Sequence, residues 1–290
     1  MNIVALIIGA LMIGSIYSVL AMGYCLIYKS TGLMNLAQGN FLMLGGYFGV
    51  TFFVNMHLPY AVAVVLTALV MFLFGYFLQA GVVNTLLKRG APAAYVILLT
   101  SALAMFLENG AQLVWGVKDL RFPSLFKNPF VTIFGGQVAP ESLLVLGVAT
   151  VCVFVLYFFL NKTKFGIAVR AEAMDAMAAS SMGINVPLVR GFCWGLSSAL
   201  CGLIGVAIGP VYGVFLTMGS LYTPKGFQSA VVGGYGNIYG ALLGGMFYGF
   251  LETFISAFIT SQYKDVVSFA VLLLALTFMP RGFTNEPVIE

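Results

Sequence analysis

Few side chains in this sequence could do chemistry, and two glutamates stand out among them. Glu108 and Glu252 lie in or beside long apolar runs. A charge at the centre of a membrane costs at least about 2.5–3.5 kcal/mol, so such groups usually face a protein interior or water. Each glutamate therefore has two interpretations: a polar lining or partner for a solute, or a protonated or hydrogen-bonded side chain that locks two helices together.

The other reactive side chains form no catalytic or metal-binding pattern. The cysteines lie within or at the ends of apolar runs, without a Cys-x-x-Cys pair or a Cys/His cluster, which favours a packing role. They are Cys25, Cys152, Cys193 and Cys201. His57, close to Pro59, is expected at a membrane interface. Without a Ser/His, Asp/Asp or His-Glu-x-x-His set, the sequence predicts neither an enzyme nor a metal site.

The composition excludes the soluble classes of protein. The chain of 290 residues is 61% hydrophobic and 8% charged, with a mean hydropathy of +1.04. A soluble domain is about 45–50% apolar and roughly 25% charged. The formal charge of +4 is too sparse for a surface that follows nucleic-acid phosphates. The sequence therefore predicts a protein that crosses a membrane several times and contacts lipid, not a soluble enzyme, a nucleic-acid binder or a disordered chain.

The uncharged runs define the expected spans. A membrane-spanning helix needs about 20 mostly apolar residues, and these runs do not alternate in polarity as barrel strands do. We expect an all-α polytopic transmembrane helix bundle, one domain over residues 1–290, with eight or nine spans and re-entrant or broken segments. The expected spans are residues 3–28, 41–56, 60–87, 93–116, 142–160, 190–209, 238–260 and 265–280, with a possible ninth near 210–236.

Basic residues predict the side of the membrane on which each loop lies, because cytoplasmic loops carry an excess of Lys and Arg. Lys29, the pair Lys88–Arg89 and the group between Lys162 and Arg190 mark cytoplasmic ends. This assignment places the N-terminus and residues 117–141 outside. Nine crossings would put Arg281 inside, as the charge rule favours, whereas eight would put it outside.

Two stretches in membrane context contain residues that interrupt a helix: residues 32–40, and residues 209–237 with their prolines and glycines. Non-helical backbone at membrane depth is tolerated only where protein buries it or water reaches it. Breaks in both halves of a chain are typical of a transporter's pathway. Both stretches could instead be surface loops or ordinary helix ends. With the two glutamates, the pathway candidates are Asn35, Gln38, Asn40, Glu108, Gln228 and Glu252.

Glycines spaced four residues apart predict close helix packing. This spacing puts small residues on one helix face, so that neighbouring backbones can approach each other. The sets are Gly45 and Gly49; Gly205, Gly209 and Gly213; Gly236, Gly240 and Gly244; and Gly245 and Gly249. The pattern indicates a tight bundle but does not distinguish a transporter from another polytopic fold.

One stretch between spans is typical of a helix outside the membrane. Residues 167–182 are rich in alanine, a strong helix former, and Gly183 is well suited to end the helix. A short helix of this kind suits a groove on a partner protein, or it lies on its own bundle or on the lipid surface. Its apolar stripe, at three- and four-residue spacing, consists of Ala171, Met174, Ala178 and Met182.

Several segments, in order, resemble the permease subunits of branched-chain amino acid (Liv-type) ABC importers. The first reads Asn-Leu-Ala-Gln-Gly-Asn from Asn35 and leads into a Gly-rich helix. The others are Phe165–Ile184, Ala230–Gly245, Tyr263–Phe269 and Met279–Gly282. Their order and spacing together are specific and extend over nearly the whole chain. The length resembles that of the shorter of the two permeases that such systems usually pair.

The resemblance implies a permease subunit that carries a small amino acid or related solute inward across a bacterial cytoplasmic (inner) membrane. It implies a second homologous permease subunit, two cytoplasmic ATPase subunits and an extracytoplasmic solute-binding protein as partners. The sequence has no Gly-x4-Gly-Lys-[Ser/Thr], so ATP and Mg are expected on the ATPases, with no cofactor in this chain. The alternative is a secondary transporter or channel for a small polar solute, which would need ion-coupling acids or a selectivity ring.

The resemblance also implies that a loop at about residues 162–188 contacts the ATPase. The residues expected in this coupling are Arg170, Ala171, Glu172, Asp175, Met182, Gly183 and Ile184. One departure concerns the cargo: Gln38 and Asn40 stand where many family members carry His and Glu. The family includes systems for urea, short amides, other amino acids and aromatic acids, so the resemblance implies an importer without naming its solute.

Overall fold

Long helices dominate the structure, a computed structural model that describes residues 3–123, 125–126, 130–133, 136–279 and 282–284. Within these residues, six helical runs are long and apolar enough to cross a membrane. They are α1 (Ile3–Thr31), α3 (Tyr60–Leu78) continued through a π-helical turn (Gln79–Val83) into α4 (Asn84–Lys88), α5 (Ala93–Trp115), α6 (Pro140–Lys162), α9 (Val186–Tyr212) and α11 (Ile238–Phe258). The all-α polytopic bundle expected from the sequence is confirmed.

The remaining elements are shorter. They are α2 (Gln38–Val50) with a π-helical turn (Thr51–Asn55), α7 (Lys164–Met174), α8 (Ala176–Ser181), α10 (Met218–Gly233), α12 (Lys264–Phe278), and the antiparallel strands β1 (Val131–Ile133) and β2 (Gly136–Val138). With 16 and 15 residues, α10 and α12 reach only about 24 and 22 Å, less than the roughly 30 Å of a bilayer core. In the described chain, six full-length helices and three short ones (α2, α10, α12) therefore correspond to the expected eight or nine spans.

Glycine contacts bring the central helices together. Helix α1 packs along α11, and α9 packs along both α2 and α3. A Cβ on Gly45 of α2 would lie 2.2 Å from the Cα of Gly202 in α9, and a Cβ on Gly249 of α11 would lie 2.2 Å from the Cα of Gly14 in α1. Only a hydrogen fits at these points. The close packing predicted from the glycine spacing is confirmed at Gly45 and Gly249.

The two interrupted stretches have different structures. The first is non-helical, as expected: α1 ends at Thr31, Gly32 has φ of +68°, and α2 begins only at Gln38. The second is mostly helical, contrary to expectation, because α9 extends through Pro210 and α10 contains Pro224. Each proline lacks a backbone N–H and so removes one hydrogen-bond donor. A helix that is packed against its neighbours tolerates this loss.

The single helix predicted over residues 167–182 is wrong in one respect: it is two helices. Asp175 has φ of −160° and ψ of 109°, which ends α7 and begins α8. Its carboxylate Oδ1 accepts hydrogen bonds from the backbone N–H groups of Met177, at 2.8 Å, and Ala178, at 3.0 Å. The many alanines favoured one continuous helix. The Asp175 carboxylate instead binds nearby backbone N–H groups, which interrupts that helix and caps the start of α8.

The chain's last described residues lie at the same end of the bundle as α7 and α8. Phe283 N–H donates to the carbonyl of Val232 at 3.0 Å, and the Thr284 hydroxyl donates to that of Gly233 at 3.1 Å. The α10–α11 turn beside them adjoins the end that holds Lys29 and Arg170. Arg281 would lie inside with nine crossings and outside with eight, but it is not among the described residues.

Candidate functional site

The amide side chains at the first break form a hydrogen-bonded cluster inside the bundle. Asn35 accepts a bond from the backbone N–H of Ala37 and donates from Nδ2 to Gln38 Oε1 at 3.1 Å. Gln38 Nε2 donates to Ser197 Oγ at 2.7 Å and to Cys201 Sγ at 3.0 Å, both on α9. The bond to Ala37 N–H satisfies one backbone donor of the break, and the bonds of Gln38 attach the start of α2 to α9.

Asn40 is also used within the bundle. Its Nδ2 donates to the carbonyl of Ala104 on α5 at 2.7 Å. Asn35, Gln38 and Asn40 are all buried. The structure therefore places these three pathway candidates where they hold α2 against its neighbours.

Glu252 belongs to a group of four charged side chains in the half of the bundle opposite α7 and α8. One oxygen of the Glu252 carboxylate lies 3.3 Å from Lys225 Nζ, and the other lies 3.1 Å from Lys264 Nζ. Lys225 also contacts the carboxylate of Asp265, and the Tyr17 hydroxyl donates to Glu252 at 2.7 Å. We call Lys225, Glu252, Lys264 and Asp265 the charged cluster. It joins α10, α11 and α12, and the bond from Tyr17 adds α1.

A cavity of about 290 Å³ opens beside the charged cluster. Lys225, Glu252 and Lys264 form one part of its wall, with the rings of Tyr17, Tyr212 and Tyr222. The rest of the wall is apolar and consists of Ile13, Ile16, Phe215 and Leu221. The cavity combines both signs of charge, hydroxyl groups and an aliphatic surface, which is typical of a site for a small amphiphilic molecule.

The other two pathway candidates lie away from this cavity wall. Gln228 is buried on α10, one turn beyond Lys225, and neither of its amide atoms has a hydrogen-bond partner in the described part of the chain. Glu108 is half-buried on α5, and it makes no hydrogen bond or ion pair with the residues that the structure describes. The structure therefore brings only Glu252, of the six candidates, to the cavity.

Two polar contacts fix α7 to the bundle. Glu172 is buried, and its Oε1 accepts from Arg190 Nε on α9 at 2.5 Å. Burial raises the pKa of the Glu172 carboxyl, and the hydrogen bond and charge of Arg190 act in the opposite direction. Arg170 donates from Nη1 to the carbonyl of Leu160 on α6 at 2.7 Å. Glu172 thus faces inward, and Arg170 and Glu172 tie α7 to α6 and α9.

Helix α8 follows α7, which these two contacts hold against α6 and α9. Its end is formed by Gly183, whose φ is +85°, and by the N–H of Ile184, which donates to the Ala179 carbonyl at 3.1 Å. Ala171 and Ile184 are half-buried. Met174, Met177 and Met182 are 89%, 81% and 84% exposed, so three large apolar side chains extend away from the bundle. Such a flexible methionine surface is typical of a protein-binding face.

Sequence comparison identifies the protein's relatives. A family model described as the branched-chain amino acid transport system permease component matches residues 6–276. The chain belongs to this permease family. It is a multi-pass membrane protein, in agreement with its six long apolar helices, and the resemblance inferred from its motifs is confirmed.

Curated relatives of this permease cover nearly its whole length. The LivH permease of the high-affinity branched-chain amino acid transport system of Escherichia coli K12 is 31% identical, over 96% of this chain and 94% of its own. BraD of Pseudomonas aeruginosa is 31% identical, over 98% and 96%. A probable LivH of Methanocaldococcus jannaschii is 30% identical, over 96% and 91%. No solved structure matches the chain significantly.

Sequence reasoning about this permease missed three members of the charged cluster and Tyr17. Lys225 lies between two long uncharged runs, and Lys264 and Asp265 lie beside the last apolar run. A charge in such a position is costly unless it is paired. Because Lys225, Lys264 and Asp265 adjoin apolar runs as Glu252 does, pairing among these four residues could have been predicted. Tyr17 had no signal, because a tyrosine in an apolar helix is common and its partner is 235 residues away.

Proposed function

We propose that this chain is the shorter permease subunit of an ATP-driven importer in a bacterial cytoplasmic membrane. It forms a single permease domain with a coupling loop at about residues 162–188. Its partners are a second homologous permease subunit, two cytoplasmic ATPase subunits that hold ATP and Mg, and an extracytoplasmic solute-binding protein. The chain itself carries no cofactor and does no covalent chemistry. Its cargo is a small amino acid, and the relatives' names make a branched-chain amino acid the first candidate.

The family match over residues 6–276 carries this proposal. The shape of α7 and α8 supports it independently. The exposed methionines provide an apolar surface for an ATPase, and the two anchors of α7 convert a push on that surface into movement of α6 and α9. Arg170 and Glu172 act as those anchors, and Asp175, Gly183 and Ile184 shape α8. Ala171 and Met182 lie on the side available to the partner.

The mechanism requires two arrangements of the bundle that ATP binding and hydrolysis alternate. Closure of the ATPases moves α7 and α8, and the Glu172–Arg190 pair passes the movement to α9. Helix α9 packs against α1, α2, α3 and α6, so its displacement changes contacts on several sides at once. Packed interfaces of this kind switch between discrete arrangements and do not deform continuously.

The experiment is uptake of radiolabelled leucine into proteoliposomes. This chain is reconstituted alone, with the second permease, and with the full set that the proposal names, including the ATPases and the binding protein. We expect uptake only with the full set and with ATP on the ATPase side. Uptake by this chain alone, driven by an ion gradient or by the leucine gradient, would contradict the proposal and support a secondary transporter or channel.

A further inference from the structure

We infer that the cavity beside the charged cluster is a binding site for the zwitterionic head group of an amino acid. Lys225 and Lys264 would bind the carboxylate, Glu252 and the Tyr17 hydroxyl would bind the ammonium group, and the apolar wall would bind an aliphatic side chain. The inference rests on the proposed transport function and specifies where on this chain the solute is bound.

The position of the charges is the first argument. Lys225 and Glu252 have side chains only 5% and 6% exposed, in the interior of a bundle whose sequence is 8% charged. A buried ion pair is weak evidence for stability, since well-packed apolar side chains of similar volume often serve as well or better. Ionisable residues at membrane depth usually belong to solute or ion pathways. The concentration of four charges, three of them in the wall of one cavity, therefore indicates a function.

The balance of the charges is the second argument, and it selects the class of ligand. Two lysines and two carboxylates leave the charged cluster with no net formal charge. A zwitterion brings one charge of each sign, so it can enter the Lys225–Glu252 pair without leaving a buried charge unpaired. A ligand with a single charge would leave one partner uncompensated, which is costly in a dry site. The charged cluster should therefore discriminate against both a simple cation and a simple anion.

The geometry of the pair is the third argument. Charge-assisted N–H···O bonds are usually about 2.7–2.9 Å long, whereas Lys225 Nζ lies 3.3 Å from Glu252 Oε2. This is the longest of the four ion-pair contacts among the described residues. Glu252 keeps its bonds to Tyr17 and Lys264 if Lys225 turns toward a ligand, and Lys225 keeps Asp265 as a second partner. The pair can open while each partner keeps another bond.

The cavity has room for such a ligand and a route to it. Its volume of about 290 Å³ is roughly ten times the ~30 Å³ that one water occupies in the liquid. Two of the residues that line it, Tyr212 and Leu221, are 49% and 43% exposed, and the Asp265 side chain is half-exposed. The cavity therefore reaches the surface of this chain in the half opposite the ATPase-binding end, where an incoming solute would arrive.

The test uses the purified complex of both permeases and the ATPases, without the binding protein, whose own selectivity would mask that of the cavity. Thermal unfolding of the complex is measured with leucine, with leucinamide, which lacks the carboxylate, and with 4-methylpentanoate, which lacks the ammonium group. We expect leucine to raise the unfolding temperature and the two analogues to have little effect. An equal response to all three, or no response to saturating leucine, would overturn the inference.

The matched variant is the double substitution Lys225→Met with Glu252→Met, which removes one charge of each sign and keeps the charged cluster neutral. The two charges that remain, on Lys264 and Asp265, are 35% and 51% exposed and so can be solvated. We expect the double variant to unfold cooperatively without ligand, which shows that the complex is folded, and to lose at least about tenfold in apparent affinity for leucine, because charged groups bound to a ligand in a dry site contribute strongly. An unchanged leucine response in this variant would mean that the pair only joins helices. Failure of the proposed function itself would look different, since the wild-type complex would then show no ATP-dependent uptake.

Discussion

At the scale of single residues, the buried glutamines of this chain differ in their partners. Gln38 uses its amide to bridge to α9, whereas Gln228 and Gln79 are buried with both amide atoms unpaired in the described chain. A buried amide without a partner costs about 1–3 kcal/mol relative to a paired one. Gln228 lies on α10 between Lys225, which lines the cavity, and Gly233 at the α10–α11 turn. An unpaired amide kept at that cost between the cavity and the opposite end indicates contact with a moving solute or with water.

Replacing Gln228 with leucine separates this use from a structural role. We expect Gln228→Leu to raise the stability of the chain by about 1–3 kcal/mol, because the unpaired amide is removed, and to lower leucine uptake by the full complex. Thermal unfolding and uptake are measured on the same preparation. The matched control is Gln79→Leu, which removes the other unpaired amide at the α3–α4 junction and should stabilise without lowering uptake. Equal uptake in both variants would contradict a pathway role for Gln228.

The carboxylate of Asp175 has two separable properties, its charge and its capping bonds to Met177 and Ala178. Asn caps nearly as well as Asp, whereas loss of a cap costs about 0.5–2 kcal/mol. We expect Asp175→Asn to keep uptake per ATP hydrolysed near the wild-type value and Asp175→Ala to lower it, because α8 would fray. If the Asn and Ala variants are equally uncoupled, then the charge, and not the cap, is what the ATPase needs.

At the scale of elements, the helices are held by backbone contacts that only glycine allows. Gly45 in α2 meets Gly202 in α9 at a point where no Cβ fits, whereas Gly147 in α6 has no atom within 4 Å of the position its Cβ would take. The sequence carries a sign of this difference, because Gly45 lies four residues before Gly49, whereas Gly147 has no glycine four residues away. The difference decides how each position responds to substitution.

Substituting alanine for these two glycines tests the packing. Gly45→Ala must push α2 away from α9, with an expected loss of about 1–3 kcal/mol as for other overpacked cores. Gly147→Ala meets open space and should be neutral or stabilise α6 by up to about 1 kcal/mol, because alanine is the better helix former. Thermal unfolding in one detergent compares the two directly. A Gly45→Ala variant as stable as Gly147→Ala would show that α2 and α9 do not pack as described.

Element-level features were predictable where a local pattern determines them. Apolar length and charge gaps predicted the long helices, and the Asn and Gln residues after Gly32 predicted the first break. The same reasoning failed at Pro224, which suggested a break but lies inside α10, because packing against α11, α1 and α2 outweighs the loss of one backbone bond. It also missed the division at Asp175, where one capping carboxylate overrides a strong alanine preference.

At the scale of the whole molecule, the two proposed sites lie at separate ends. Asn237 and Lys29 adjoin Arg170 at one end, and the charged cluster lies toward the other. Local sequence could not predict the charged cluster, since Tyr17 and Glu252 meet across most of the chain length, and only the arrangement of α1, α10, α11 and α12 brings them together. The charge rule predicts that the Lys29 end faces the cytoplasm. The cavity would then open to the side from which an importer receives its solute.

Cysteine labelling in sealed vesicles tests this orientation in full. All four native cysteines are buried, so the wild-type chain should react little with a bulky, membrane-impermeant maleimide. Single cysteines at Met182, Phe283 and Lys118, all exposed, then report one position each. We expect Met182→Cys to react only from the cytoplasmic side and Lys118→Cys only from outside. Phe283→Cys should react from the cytoplasmic side, because residues 282–284 pack against Val232 and Gly233. Reaction of Phe283→Cys from the same side as Lys118→Cys would require an even number of crossings and would rule out the packing of residues 282–284 beside the α10–α11 turn.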